Sequence, residues 1–172
     1  MYNLAASLGL APSIKWPNDV LVAGKKICGI LLEMEGTFDA LSWLVVGFGL
    51  NVNTTAFPEE LIHIATSLAA ECGRELNRSD IMAQLLNNLE PLFDACAQES
   101  SFQSLLSQYR ECCATIGQTL TVTGVAEQLQ GVAEGIDEMG MLLLRTADGV
   151  LHAVAAGDVT LRADALANET GE

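Results

Sequence analysis

Apolar and polar positions along the chain follow three different rhythms. In residues 2–10, small and apolar side chains recur at helical spacing, and Gly9 with Pro12 beyond it ends the predicted helix. Residues 13–16 are short and β-like and are closed by Pro17. Asn18 and Asp19 then read as a turn that leaves the Asp19 carboxylate free of the backbone. Residues 20–22 predict a strand, Ala23-Gly24-Lys25 a tight hairpin, and residues 27–33 the returning strand. A second turn is expected over residues 35–39 and a third strand over 41–52. The middle is helical: Asn77 or Ser79 caps a helix whose apolar positions are Ile81, Leu85, Leu86, Leu89, Leu92, Phe93 and Cys96. Pro91 should kink or divide it, and a second helix is expected over 102–112. From Ile116 the rhythm shortens again. Residues 119–123, 129–136, 141–146, 150–154 and 159–162 predict five short strands separated by turns such as Ala147-Asp148-Gly149. Strands this short suggest a small closed barrel, because closure removes exposed edges. The expected organisation is therefore α+β: a mixed or antiparallel sheet covered by helices over 1–115, a small barrel over 116–163, and an acidic, fraying tail over 164–172.

Composition narrows what such a chain can do. Half of its 172 residues are apolar and 17% are charged, which suits a packed core and excludes wholesale disorder. Its formal net charge is −14, from 8 Lys plus Arg against 22 Asp plus Glu. Nucleic acid is therefore not an expected partner, since a phosphate backbone would be repelled over most of the surface. No apolar run reaches the roughly 18 residues of a membrane helix. Residues 1–10 lack a basic region followed by a long apolar run, so no leader and no membrane contact are expected and the localisation reads as cytoplasmic. The five cysteines, Cys28, Cys72, Cys96, Cys112 and Cys113, form no C-x-x-C pair and lie apart from His63 and His152. Reduced, mostly buried thiols and no metal site are expected. The adjacent Cys112 and Cys113 have no assigned use.

The distribution of charge is more informative than its sum. Lys15, Lys25 and Lys26 are the chain's lysines, and up to Asn51 they face Asp19, Glu33, Glu35 and Asp39 for a local net of −1. The rest of the chain carries −13 of the −14. Scarce cations gathered in one strand–turn–strand segment make a candidate anion site, or else a solvated face whose lysine stems cover apolar surface. The third strand contains Gly47-Phe48-Gly49, and glycines inside a strand mark a bulge or a place where a ligand nears the backbone. No third glycine opens a helix there, so this is not a dinucleotide fingerprint.

Three blocks carry a resemblance to a known family. They are Lys15-Trp16-Pro17-Asn18-Asp19, then Lys26-Ile27-Cys28-Gly29-Ile30-Leu31-Leu32-Glu33, then Val45-Val46-Gly47-Phe48-Gly49-Leu50-Asn51-Val52-Asn53. In this order and spacing they resemble the biotin protein ligases, also called biotin–[acetyl-CoA-carboxylase] ligases. The segment ending Gly157-Asp158-Val159-Thr160-Leu161-Arg162 is similar to that family's C-terminal barrel. The resemblance implies a class II synthetase-like fold of the biotin/lipoate ligase type, truncated, with a small Src-homology-3-like barrel. It implies that biotin and ATP, with Mg2+, give biotinyl-5′-AMP and pyrophosphate, after which a lysine of a carboxylase's biotin acceptor domain takes the biotin.

Carried onto this sequence, Lys26 matches the family's catalytic lysine and Asp19 the aspartate near the reacting centre. A fixed ammonium at Lys26 would offset charge developing on the carboxylate and α-phosphate. Asp19 would orient the acceptor lysine or help take its proton, with Asn18 bonding nearby. Lys15 and Trp16 fall beside phosphate and adenine, Trp16 being equally readable as core. Gly29 and Ile30 would let the strand backbone approach biotin. Gly47, Gly49 and Asn51 fit the nucleotide side, and Asn53 less so. Residues 33–36 occupy a stretch that some members use to pair sheets, so a homodimer is among the implied partners. The family's Gly/Arg-rich G-R-G-R-x-G-R loop and the start of its biotin pocket precede the first block in other members and are not among these 172 residues. The whole ligase, a non-catalytic nucleotide- or acceptor-binding module, and the related lipoate ligases are the readings that follow; the intact first block and the barrel favour biotin.

Overall fold

A computed structural model describes residues 1–37, 40–96, 99–123, 128–155 and 157–161 of the chain. They form two compact units, Met1–Phe102 and Gln103–Glu172.

The first unit opens with α1 (Tyr2–Ser7) and then an antiparallel sheet of β1 (Pro12–Lys15), β2 (Asp19–Val22), β3 (Lys25–Thr37) and β4 (Ala40–Leu50), in that spatial order. Sequential hairpins explain the order. Ala23 and Gly24 both take positive φ, 50° and 76°, the conformation a two-residue hairpin turn demands. The strands β3 and β4 run further than the expected turn over 35–39, pairing out to Thr37 and Ala40; Phe38 and Asp39 lie outside the described residues. Beyond Gly29, β3 leaves β2 behind, and Leu31, Leu32 and Met34 are half exposed or more.

Helices cover one face of this sheet. Leu4 and Ala5 of α1, Leu68 of α2 (Leu68–Cys72) and Ile81 of α3 (Arg78–Cys96) pack with Val20, Val22, Ile27, Cys28 and Leu76 in a buried cluster. The short α2 carries no apolar periodicity of its own and was not expected. Its ends are nonetheless specified, by the Ser67 hydroxyl accepting from the Ala70 N–H at 3.2 Å and by Gly73 at φ 67°. Asn77 caps α3 as expected, accepting from the Ser79 N–H at 2.9 Å, and the helix runs through Pro91 undivided.

The second unit begins inside α4 (Glu99–Cys112), upstream of the boundary expected near Thr115. The reason is physical: Arg110 Nε donates to the Ile136 carbonyl at 2.8 Å, tying the helix end to the second sheet. That sheet comprises β5 (Thr119–Thr123), β6 (Gln128–Ile136), β7 (Leu142–Thr146), β8 (Leu151–Val154) and β9 (Asp158–Leu161). All its pairs are antiparallel, in the order β8-β7-β6-β5-β9. Leu120, Val122, Ala133, Ile136, Leu142, Leu144 and Val159 form its buried face. Among the described residues no ladder joins β8 to β9, so they stand as the outer strands of this sheet and the expected closure into a barrel is not seen among them. The architecture is α+β with a small C-terminal β domain. The tail over 164–172 and Arg162 lie outside the described residues.

Asn53 shows how the chain leaves β4. Its amide nitrogen donates to the Leu76 carbonyl at 2.8 Å, and its oxygen accepts from the Leu76 N–H at 3.0 Å. The side chain thus imitates a strand partner for Leu76, which is itself buried. Asn53→Ala would orphan both Leu76 groups. It is expected to lower stability by about 1–3 kcal/mol, read as a fall in the urea midpoint at constant slope.

Candidate active site

The site is built on one irregularity. Between β2 and β3 the register pairs Val20 with Cys28 but Leu21 with Lys26, so Ile27 is an extra residue on β3. A bulge of this kind re-aims the side chains around it. Ile27 and Cys28, though adjacent, both join the buried cluster, and Lys26 comes out on the same face as Asp19 and Gly29. Without the extra residue, strict alternation would send Lys26 to the core side.

Lys26 Nζ then meets Asp19 Oδ1 at 2.6 Å, with the side chains 46% and 17% exposed. The pair is accessible enough for a ligand to reach both charges. Gly29 makes the room. A Cβ built there would lie 2.9 Å from Lys26 Nζ, 3.0 Å from its Cε and 3.3 Å from Asp19 Oδ1. Lys15, Asp19, Gly29 and Gly49 are successive partners across the four strands, so they share the face that carries Lys26. Lys15 is half buried. Above Gly49 a side chain would meet nothing within 4 Å, and above Gly47 just the Leu31 carbonyl at 3.7 Å. The result is a glycine-floored surface edged by two lysines and a carboxylate.

Lys26 also lines a pocket of about 620 Å³ whose other walls include Cys28, Gly49, Asn51, Phe57, Pro58 and Ile64. The Lys26 backbone fixes one wall, with its N–H donating to the Ile64 carbonyl at 2.8 Å and its carbonyl accepting from the Thr66 N–H at 2.9 Å. Cys28 is no nucleophile here. Burial pushes its thiol up to about 11, so it stays protonated at neutral pH.

The remaining candidates have structural duties. Trp16, read as either adenine support or core, is 2% exposed and so supports the strands without offering a face to a ligand. Ile30 packs its side chain against the core cluster. Its N–H donates to the Asn18 carbonyl at 3.0 Å, and its carbonyl accepts from the Asn18 amide. Asn18 thereby fixes the block that presents Asp19. The Asn51 amide donates to the Thr66 carbonyl at 3.1 Å while Asn51 remains on the pocket wall. Sequence reasoning overlooked Phe57, Pro58 and Ile64, although an aromatic residue beside proline in a segment without periodicity was a legible signal for a shaped loop. Among the described residues no group of three His, Cys, Asp or Glu side chains could hold a metal ion, and no helix is long and apolar enough to cross a membrane.

Comparison with known proteins gives consistent results. Residues 115–162 match the family model for the biotin protein ligase C terminal domain. Over 150 residues the chain is 34% identical to the bifunctional ligase/repressor BirA of Bacillus subtilis, covering 86% of this chain and 46% of that protein. Over 147 residues it is 37% identical to the biotin–[acetyl-CoA-carboxylase] ligase of Mycobacterium tuberculosis, covering 85% and 52% respectively. Among solved structures, the biotin protein ligase from Aquifex aeolicus in complex with biotin and ATP superposes with a TM-score of 0.76 at 27% identity, covering 92% of this chain and 65% of that one. The chain spans about half the length of the curated relatives it matches.

Gly29→Ala tests the geometry directly. The crowded atoms are the movable end of Lys26 and the Asp19 carboxylate, so stability should change by less than about 1 kcal/mol. The ion pair should open instead. Lys26 is then expected to acylate with acetic anhydride as fast as Lys15, where the wild-type protein protects it, as read by peptide mass mapping.

Proposed function

We propose that the chain belongs to the biotin protein ligase family, to which the comparisons point, and that it carries the lysine–aspartate part of a site that activates biotin with ATP and passes it to a lysine of a carboxylase's acceptor domain. The observation that carries the reading is the Lys26–Asp19 contact of 2.6 Å, held at the edge of a largely apolar pocket beside an unobstructed glycine floor. A volume of about 620 Å³ lies in the range of small-molecule sites, which pair apolar walls with few polar groups.

In the first step a biotin carboxylate oxygen attacks the α-phosphorus of ATP, and the bond from that phosphorus to the pyrophosphate oxygen breaks. Biotinyl-5′-AMP and pyrophosphate result. Two anions must approach one another, and the Lys26 ammonium is placed to lower that repulsion as negative charge builds on the phosphoryl oxygens. The apolar walls would take the adenine, with Asn51 as a polar neighbour and Lys15 on the phosphate side. Mg2+ would travel with the ATP phosphates, as a hard cation does where protein supplies few ligands. In the second step the acceptor amine attacks the biotinyl carbonyl and AMP leaves. The amine must shed a proton, and Asp19 is the carboxylate beside Lys26 that can receive it.

Biotin-dependent exchange of labelled pyrophosphate into ATP by the folded chain tests the first step. Lys26→Ala is expected to lower the exchange rate by about 10²–10³-fold, the usual cost of removing one preorganised electrostatic group. Asp19→Asn should retain more of the exchange than of the transfer to acceptor domain. Folded protein without exchange would reduce the proposal to a nucleotide- or acceptor-binding module.

The arm of β3 beyond Gly29 supports a second copy as partner. Its edge over residues 31–37 has no strand beside it on the β2 side among the described residues, and Leu31 and Leu32 are 62% and 60% exposed. An unpaired apolar edge is a template for pairing. Sedimentation equilibrium is expected to show a dimer that Leu32→Lys shifts to monomer; wild-type protein that sediments as a monomer at high concentration would remove this partner.

A further inference from the structure

Lys25 and Lys26 are adjacent, yet they do different things. Lys26 reaches Asp19, whereas Lys25 Nζ donates to the Ile62 carbonyl at 3.0 Å, 37 residues along the chain. We infer that Lys25 is a positioning residue: its ammonium staples the segment carrying Phe57, Pro58, Leu61 and Ile64 against β3, and so sets how tightly the pocket beside Lys26 holds a nucleotide. The affinity part rests on the nucleotide reading of that pocket given above.

The segment needs such a tie. Between β4 and α2 it contains a single short turn of 3-10 helix, Glu59–Leu61, and burial does not hold it: Leu61, Ile62 and Ile64 are 37%, 47% and 58% exposed. Its far end is secured by the Lys26 backbone, through Ile64 and Thr66. Those two bonds hold the pocket wall at its Ile64 end, and within the segment the Leu61 carbonyl accepts from the Ile64 and Ala65 N–H groups at 3.0 and 2.8 Å. Leu61 closes the turn onto Pro58, its N–H donating to the Pro58 carbonyl at 2.9 Å. The Lys25 bond at Ile62 therefore reaches the segment at the point nearest that turn. A charged donor on a carbonyl makes a stronger hydrogen bond than a neutral one, and the ammonium can swing away without disturbing the Lys25 backbone. Position and chemistry together make the wall adjustable without moving Lys26.

The test compares Lys25→Met, which keeps the stem and loses the donor, with Lys25→Arg, which keeps a donor. Amide hydrogen exchange at Ile64, Ala65 and Thr66 is expected to quicken in Lys25→Met and to return toward wild type in Lys25→Arg. Exchange at Val20 and Cys28 should not change. Adenosine and ATP serve as binding probes. Because the wall grips the base, Lys25→Met should weaken both by a similar factor of about ten. Unchanged exchange at 64–66 would overturn the staple. Weakened ATP with unchanged adenosine would overturn the wall as the route, since a lost charge alone would then suffice. If wild-type protein bound neither probe, the nucleotide reading and the affinity part would both fall, while the exchange pattern would still decide the staple.

Discussion

One extra residue in β3 underlies the rest of the site. Ile27 breaks the alternation between β2 and β3, and that break lets one short stretch serve two masters. Ile27 and Cys28 add adjacent apolar side chains to the core, while Lys26 and Gly29 on either side of them face away from it. A regular strand could not do both, since its side-chain period is two. Core packing therefore anchors the geometry of the Lys26–Asp19 pair. The bulge keeps its register because two buried residues would have to leave the core for it to slip, which costs several kcal/mol. Buried packing thus lies directly beneath an exposed cation.

The ion pair above the bulge is energetically weak, and the proposed chemistry needs that weakness. An exposed lysine–carboxylate pair contributes about 0–1 kcal/mol, and Lys26 is 46% exposed. An arriving phosphate or carboxylate can draw the ammonium toward itself at little cost, leaving Asp19 free to meet an incoming amine. A fully buried pair would hold Lys26 in place and resist that exchange of partners. Gly29 sets the same balance sterically, because a Cβ there would occupy the space in which the ammonium sits.

Much of this was legible in the sequence. The Ala23-Gly24 turn, the Asn77 cap and the five short strands after Thr115 follow from local rules, and structure placed them within a residue or two of the expected bounds. The three motif blocks named Lys26, Asp19 and Gly29 together. What could not be read is what depends on pairing across distance. The bulge is invisible because Ile27 looks like any strand residue until β2 is laid beside it. Asn53, by resemblance a weaker candidate contact than Asn51, has its amide spent on Leu76. Trp16 reads from sequence equally as ligand support or core, and its burial, at 2% exposed, depends on strands that only the fold brings around it. The Lys25 bond to Ile62 joins two positions related by no period or motif.

The charge of the chain and the site can be reconciled by range. At physiological salt an exposed charge is felt over roughly 8 Å, so an ion seated between Lys15 and Lys26 would respond mainly to charges on the strands around it, not to the net −14 of the chain. A compact anion with a few phosphates experiences mainly these local cations. An extended polyanion would lie across many screening lengths of acidic surface and meet the repulsion that the site itself avoids. Keeping Lys15 and Lys26 on one sheet face thus suits the compact anion of the proposed reading better than an extended one. On the proposed reading the apolar wall would add to this, since a pocket lined by Phe57, Pro58 and Ile64 suits a single base.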